Sequence, residues 1–197
     1  CVVMDNNRAR VEGCTILIGG SVRWVEERVF GESSSRYWHR RLEDEVCSKA
    51  GLVITISDFT LREVVKGYDL PPERVTKLYK AVDLSVFSSD HLSPETELPK
   101  VLRLLFLKND FRRGGLDILI DALAQWPAEN AFDLTVAGIS PQEVATVEKA
   151  LEKAGPSLRN SSVKSLLNRE EISKLYREHN LFINMARQEA LGVSCLE

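Results

Sequence analysis

The sequence has no apolar segment long enough to cross a membrane and no excess of positive charge. A membrane-spanning helix needs about 20 consecutive apolar residues, and the apolar runs among these 197 residues are far shorter. The chain has 26 basic and 29 acidic residues and a formal net charge of −3, whereas proteins that bind nucleic acids present a basic surface. We therefore expect a globular protein with no nucleic acid among its partners.

Cysteine and histidine are scarce. The four cysteines form no Cys-x-x-Cys pair and lie at no zinc-binding spacing from the three histidines, which argues against a structural zinc site and a disulfide framework. We interpret the cysteines, Cys47 and Cys195 among them, as reduced and buried side chains of a cytoplasmic protein. The chain also has neither a Gly-x-Gly-x-x-Gly fingerprint nor a P-loop, so these two nucleotide-binding motifs are missing.

What the sequence does have is a regular alternation of apolar strands and amphipathic helices. β-strand patterns occur at 15–19, 52–56, 75–79, 102–107, 132–138, 162–167 and 181–184. Helical spacing of apolar residues occurs at 37–50, 58–66, 116–126, 141–154 and 168–178, and again from about Leu191. Strands that alternate with helices predict βαβ units and parallel sheets, which is an α/β fold.

Local signals mark two helix starts and one break in the chain. Ser57 is suited to cap the helix that follows it, and Asn168 with Glu171 has the spacing of a capping box. Residues 88–100 (SSDHLSPETELPK) are polar, contain two prolines and show no apolar period. We interpret them as an interdomain linker or a long surface loop.

Two segments should lie where such a fold binds its ligands, because open parallel sheets bind them at the carboxyl ends of the strands. The first is 108–115 (KNDFRRGG), predicted as a basic loop between a strand and a helix. Its cations, together with free backbone N–H groups at the start of the helix, would form a diphosphate site. The residues of this site are Lys108, Arg112, Arg113, Gly114 and Gly115. The alternative is a solvated loop whose glycines only turn the chain.

The second segment, 186–197 (ARQEALGVSCLE), carries two glutamates near a predicted helix start. Glu189 precedes the helix, Glu197 falls in its second turn, and Gly192 allows a close approach of the backbone. Carboxylates accept hydrogen bonds from sugar hydroxyls, although two solvated helix carboxylates would give the same pattern. A retaining glycosidase also uses two carboxylates, but this spacing does not ensure that they flank one bond.

The order of these segments resembles glycosyltransferase family 4, also called group 1, whose members are retaining enzymes of the GT-B fold. The similarity runs from about Tyr37 to Glu197 and is carried by AGLVITISDFTLREVV, LYKAVDLSVF, LLFLKNDFRRGGLDILIDAL, FDLTVAG and LFINMARQEALGVSCLE. The resemblance implies a GT-B fragment with parts of two Rossmann-like domains. Residues 1–87 would end the acceptor-side domain, 88–100 would be the linker, and 101–197 would begin the nucleotide-sugar domain.

The resemblance also implies roles for individual residues. Glu189 would be the catalytic-site carboxylate that contacts the hydroxyls of the donor sugar, and Glu197 would bind the ribose of the nucleotide. The diphosphate would meet the cations of segment 108–115 and the backbone N–H groups of Ala190, Leu191 and Gly192. Those cations would stabilise the departing diphosphate without a metal ion, so neither a metal nor a cofactor is expected.

The implied reaction transfers a sugar from a nucleotide-sugar to an acceptor hydroxyl, with retention at the anomeric carbon. The acceptor would be a glycan or a lipid-linked glycan, in the synthesis of cell-surface glycans or lipopolysaccharide. The protein would be cytoplasmic, with peripheral contact at the inner face of the membrane through segments outside this chain. Because the chain starts at Cys1 and ends inside a predicted helix, we expect it to be an internal fragment that turns over poorly by itself.

The sequence departs from the family pattern at telling positions. Lys108 stands where the family has a glycine, and Gly114 stands where it has a phosphate-binding lysine. The other departures are Lys80-Ala81 for Asn-Gly, Met185 for proline, and Gly19 or Gly20 for a histidine. These differences favour an alternative, a catalytically impaired relative that acts as a binding or assembly module. A third hypothesis, an unrelated Rossmann-like nucleotide binder such as an epimerase, would need a glycine-rich loop after its first strand.

Overall fold

The computed structural model describes residues 15–18, 37–88, 99–187 and 189–197. The chain forms two compact units. The first consists of Cys1–Ala81 with Gln188–Gly192, and the second of Val82–Arg187 with Val193–Glu197. All strand pairings among the described residues are parallel, which confirms the predicted α/β fold. In this part of the chain no helix is both long and apolar enough to span a bilayer.

The sheet of the first unit has three strands in the order β1-β2-β3, namely β1 (Thr15–Ile18), β2 (Leu52–Thr55) and β3 (Val75–Lys77). Its helices are α1 (Tyr37–Lys49), α2 (Asp58–Tyr68) and a 3₁₀ turn at Pro72–Arg74. Helix α2 begins where the sequence predicts. Thr60 N donates to Ser57 Oγ at 3.1 Å, and Ser57 N donates back to Thr60 Oγ1 at 3.0 Å. Val53, Val64 and Cys47 are fully buried in the core of this unit.

The second unit has a four-stranded sheet in the order β6-β5-β4-β7. The strands are β4 (Leu102–Leu107), β5 (Phe132–Ile139), β6 (Leu158–Ser165) and β7 (Leu181–Phe182). The helices are α3 (Phe111–Gly114), α4 (Leu116–Leu123), α5 (Val144–Leu151), α6 (Arg169–Glu178) and α7 (Val193–Leu196). The apolar stripe of α4 packs against Leu104 and Phe106 of β4 in one buried core, because residues three and four apart share a helix face.

The strand order reverses between β4 and β7. From β4 the chain adds β5 and then β6 on one side, and it returns to add β7 on the other side of β4. Leu104 pairs with Leu181 and Leu105 with Phe182. In open α/β sheets the connections that leave two such strands diverge, and ligands bind in the crevice between them. The segments that follow β4 and β7 therefore lie at the usual ligand-binding edge.

Some of the predicted element bounds are wrong. Residues 111–114 form helix α3 and not a loop, because Asp110 caps this short helix by accepting a hydrogen bond from Arg113 N at 3.0 Å. Strand β6 spans 158–165 rather than 162–167, and the helix predicted from Pro141 starts as a 3₁₀ turn. The capping box of α6 is confirmed, with Asn168 and Glu171 exchanging two hydrogen bonds of 2.8 Å.

Two predictions concern residues outside the described ranges. One is the linker, of which residues 89–98 are not described, and the other is the glycine at position 19 or 20 that replaces a histidine of the family. The predicted domain bounds of 1–87, 88–100 and 101–197 accordingly stay a prediction.

Candidate functional site

The candidate site in the second unit is built from two stretches of chain at the reversal point. We call residues 108–115 the β4 segment and residues 183–187 the β7 segment. The β4 segment holds five of the predicted site residues, whereas the β7 segment leads toward Glu189. Lys108 N donates to Ala137 O at 3.1 Å, so the β4 segment starts as an extension of the sheet.

Gly115 lies against the backbone of the β7 segment at Met185. It ends α3 and begins α4 with a backbone φ of 76°, a conformation that favours glycine. A Cβ atom at this position would overlap the carbonyl oxygen of Met185 and lie 3.0 Å from its carbonyl carbon. The predicted turn glycine therefore has a second role, because it lets the backbones of the two segments come together.

Gly114 is buried beneath the side chain of Lys108. A Cβ atom at Gly114 would lie 2.7 Å from Lys108 Cγ and 2.9 Å from the Phe106 ring. Real side chains do not tolerate such contacts, so the stem of Lys108 occupies the room that a side chain at 114 would need. Positions 108 and 114, two of those at which the sequence departs from the family pattern, are thus direct neighbours.

The basic side chains of the β4 segment face solvent, but its glycine amides do not serve as free donors. Arg112 and Arg113 are exposed. Gly114 N donates to Asp110 O at 2.9 Å, and Gly115 N donates to Arg112 O at 3.2 Å. Helix α3 uses these two amides internally, whereas the expectation of free N–H groups at the start of α4 stays a prediction. The cations remain as the candidate anion-binding groups of this segment.

Arg187 joins the two segments, and the sequence analysis missed it. Its backbone N–H donates to Arg113 O at 3.0 Å, and its Nη1 donates to Arg112 O at 2.8 Å. The guanidinium also donates to Asp117 in the first turn of α4, from Nη1 to Oδ1 at 2.8 Å and from Nη2 to Oδ2 at 2.6 Å. Hydrogen bonds from Arg187 are the main reason that the pKa of the Asp117 carboxyl is below its usual value. The sequence feature that could have indicated this pair is an arginine after β7 and an aspartate at the start of the helix that follows β4.

The glutamate segment is divided between the two units. Glu189, Ala190, Leu191 and Gly192 belong to the first unit. Glu189 is exposed, and Gly192 is buried with a φ of 68°.

Helix α7 begins at Val193, two residues after the predicted start near Leu191. Glu197 lies directly after it, with Glu197 N donating to Val193 O at 3.1 Å. This bond continues the helical pattern into a second turn, so only the predicted start of the helix is shifted, by two residues.

Glu197 is half-buried beside Tyr176 of α6. Burial raises the pKa of the Glu197 carboxyl, while the positive charge of Arg169 acts in the opposite direction. Burial also raises the pKa of the Tyr176 phenol, with the charge of Glu197 as a smaller cause. Tyr176 Oη donates to Ser194 O at 2.6 Å, so that α6 holds the turn that carries Glu197.

Two further expectations concern cysteine and metal. Cys47 is buried as expected, whereas Cys195 is exposed, so the expectation of burial is wrong for Cys195. Within residues 15–18, 37–88, 99–187 and 189–197, no three His, Cys, Asp or Glu side chains are grouped to hold a metal ion. The expectation that no metal takes part stays a prediction.

No protein-family model matches the chain. The lipopolysaccharide glucosyltransferase WaaG of Escherichia coli K12 is 25% identical over 175 residues, which are 83% of this chain and 46% of WaaG. The crystal structure of WaaG, a glycosyltransferase involved in lipopolysaccharide biosynthesis, matches with a TM-score of 0.74 at 21% identity, over 99% of this chain and 55% of WaaG.

Two other solved structures match with lower scores. Sucrose-phosphate synthase from Thermosynechococcus elongatus has a TM-score of 0.69 at 18% identity, over 92% of this chain and 46% of its own. HepE from Anabaena, in complex with UDP and glucose, has a TM-score of 0.62 at 17% identity, over 88% and 46% of the two chains.

The chain has the fold of the GT-B glycosyltransferases. This confirms the fold that the sequence resemblance implies, whereas membership of family 4 stays a prediction. The chain spans about half the length of the relatives it matches, from 46% to 55%. The activity of a whole protein therefore does not follow from these similarities by themselves.

Proposed function

We propose that this chain is part of a glycosyltransferase that moves a sugar from a nucleotide-sugar donor to an acceptor hydroxyl. The observation that supports this proposal most is the position of the cationic β4 segment. It follows a central strand at the reversal point of a GT-B-type sheet, and it touches the segment that leads to Glu189. Similarity to WaaG supports the same class of reaction.

The β4 segment has the chemistry to bind the diphosphate of a donor. Loss of a nucleoside diphosphate creates negative charge on the leaving group, and fixed cations stabilise that charge as it develops. Arg112 and Arg113 present guanidinium groups, which bind phosphate oxygens in pairs. Because the glycine amides are occupied, we assign this task to the side chains of the segment.

Lys108 is the cation that replaces the missing lysine at 114. The resemblance predicts glycine at 108 and lysine at 114, and this chain has the reverse. The Lys108 stem lies over Gly114, so an ammonium group reaches the same region from the end of β4. We infer that the exchange conserves one phosphate-binding charge while changing its point of attachment.

The remaining roles complete the proposal. Glu189 binds the hydroxyls of the donor sugar, Glu197 binds the ribose, and the amides of Ala190, Leu191 and Gly192 meet the diphosphate. Transfer proceeds with retention and without a metal ion. The acceptor is a glycan or a lipid-linked glycan of the cell surface, reached from the cytoplasm at the inner face of the membrane.

Titration calorimetry with UDP, GDP and ADP tests the diphosphate site and the role of Lys108. We expect one of the three to bind, and Lys108→Met to weaken it about tenfold, as for loss of a charge-assisted hydrogen bond. The exchange Lys108→Gly with Gly114→Lys should keep the affinity within about threefold, after a small shift of the Phe106 ring. Lys149→Met, on the exposed face of α5, is the control. Binding by Lys108→Met that equals wild type would contradict the role of Lys108.

A catalytically impaired relative is the second candidate, and Gly114 with Lys80 is the observation that favours it. Such a protein would still bind a nucleoside diphosphate through the β4 segment. Transfer of sugar to acceptor by the full-length protein would exclude it. Binding with no transfer by the full-length protein, under conditions in which WaaG is active, would favour it over the enzyme.

A further inference from the structure

Arg187 bridges the β7 segment, the β4 segment and the first turn of α4. Four hydrogen bonds of 2.6 to 3.0 Å join it to Arg112, Arg113 and Asp117. A single nitrogen, Nη1, lies 2.8 Å from both Arg112 O and Asp117 Oδ1. The Asp117 carboxylate is therefore held directly beside the cationic end of α3.

This ion pair contributes little to the stability of the fold. The side chains of Arg187 and Asp117 are 37% and 61% exposed, and exposed ion pairs stabilise proteins only slightly. Another exposed two-point arginine–aspartate pair lies at the β6 edge of the sheet, where Arg159 Nε and Nη2 contact Asp133 at 3.0 Å and 2.7 Å. Both pairs should contribute similarly little to stability. They differ in position, because only the pair of Arg187 and Asp117 lies beside the β4 segment.

The charge of Asp117 conflicts with the proposed ligand. Asp117 lies in the first turn of α4, two residues after Gly115, and a carboxylate there would repel a diphosphate bound by the β4 segment. The two hydrogen bonds from the Arg187 guanidinium neutralise the charge of the Asp117 carboxylate and hold it against the β7 segment.

We propose that Arg187 is a positioning residue of the nucleotide-diphosphate site, which neutralises Asp117 and fixes it against the β7 segment so that the β4 segment accepts an anion. The inference rests on the proposed function. It adds to that function a residue that acts through Asp117 and does not itself bind the ligand.

The test measures affinity for UDP, GDP and ADP by titration calorimetry and stability by urea unfolding in the same variants. Arg187→Met should weaken the nucleotide that wild type binds by about tenfold, because an uncompensated carboxylate remains near the diphosphate. Adding Asp117→Asn to Arg187→Met should return the affinity to within about threefold of wild type. The loss in Arg187→Met should shrink in high salt, since salt screens exposed charges. Arg159→Met, which breaks the matched pair at the opposite edge, should lower the urea midpoint to a similar degree and leave affinity unchanged.

Each outcome of this test contradicts a different claim. If wild type binds none of the three nucleotides, the proposed function fails and the role of Arg187 fails with it. If wild type binds and Arg187→Met binds equally well, only the role of Arg187 is wrong. If the double variant stays as weak as Arg187→Met, then Arg187 contacts phosphate itself, and the positioning role is overturned. A midpoint for Arg187→Met far below that of Arg159→Met would make the residue structural and would also overturn the proposal.

Discussion

At the scale of single residues, Gly115 is a position where the backbone of the β7 segment leaves no room for a side chain in the β4 segment. An alanine there would adopt a φ of 76° and press its Cβ against the Met185 carbonyl. We expect Gly115→Ala to destabilise the protein by about 3 kcal/mol or more, the sum of backbone strain and steric overlap. Urea unfolding followed by circular dichroism measures the effect.

Gly155 provides the matched control for this substitution. Its φ is 88°, but a Cβ there would meet Ala124 Cα at 3.1 Å, a milder contact. Gly155→Ala should therefore cost only the strain of the left-handed conformation, about 1–2 kcal/mol. Equal losses in the two variants would show that the approach to Met185 carries no extra energy.

Residue chemistry can be predicted from a sequence where the residues are close along the chain. The cations and glycines of the β4 segment form one motif, and the structure places them in one segment. Arg187 has its partner 70 residues away, and no local pattern connects the two. The occupied amides of Gly114 and Gly115 were also hidden, since they depend on a helix of four residues that Asp110 caps.

At the scale of secondary-structure elements, the start of α6 depends on its capping box. Asn168 Oδ1 accepts from Glu171 N, and Glu171 Oε2 accepts from Asn168 N, both at 2.8 Å. Asn168→Ala should lower the free energy of unfolding by about 1 kcal/mol, as other helix N-caps do. Glu170→Ala, in the same turn but outside the box, is the control. A smaller loss for Asn168→Ala than for Glu170→Ala would contradict this account.

The caps of α2 and α6 were predictable because each depends on residues three apart. Strand β6 was predicted only from residue 162 on, since its sequence LRNSSVKS lacks an apolar alternation and most of its side chains are exposed. It is a strand because it pairs with β5, with support from Arg159 on Asp133 and Ser162 on Thr135. Edge strands of this kind follow from the sheet they join and not from their own propensity.

At the scale of the whole molecule, the sequence predicted parallel sheets but not the strand order. The alternation of strands and helices implies right-handed βαβ units, and those units are compatible with several orders. The return of the chain to place β7 beside β4 depends on long-range packing, such as that of Phe182 against Tyr176 at 5.4 Å between ring centroids. The position of the candidate site depends on this return.

Several carboxyl groups among the described residues have shifted pKa values that make stability depend on pH in acid. Hydrogen bonds to Lys77, Ser85, Arg187 and Arg159 are the main causes that lower the pKa values of four aspartates: Asp58, Asp83, Asp117 and Asp133. Each group binds a proton more readily in the unfolded state, so its contribution is complete above the usual aspartate value of 3.8. That contribution is lost as the pH falls through the lowered folded value. The raised pKa of Glu197 has the opposite sign, because protonation then favours the folded state.

Within the part of the chain that the structure describes, the shifts of these four aspartates and of Glu197 predict a net loss of stability below about pH 4, with little change between about pH 7 and 5. Urea midpoints measured from neutral pH down to about pH 3 test this. Arg159→Met removes the main cause of the Asp133 shift, so it should lower the midpoint at neutral pH and reduce the decline in acid. Arg41→Met, an exposed arginine of α1, should leave the profile unchanged. A decline in acid that is as steep in Arg159→Met as in wild type would mean that the Asp133 pair does not contribute to acid stability.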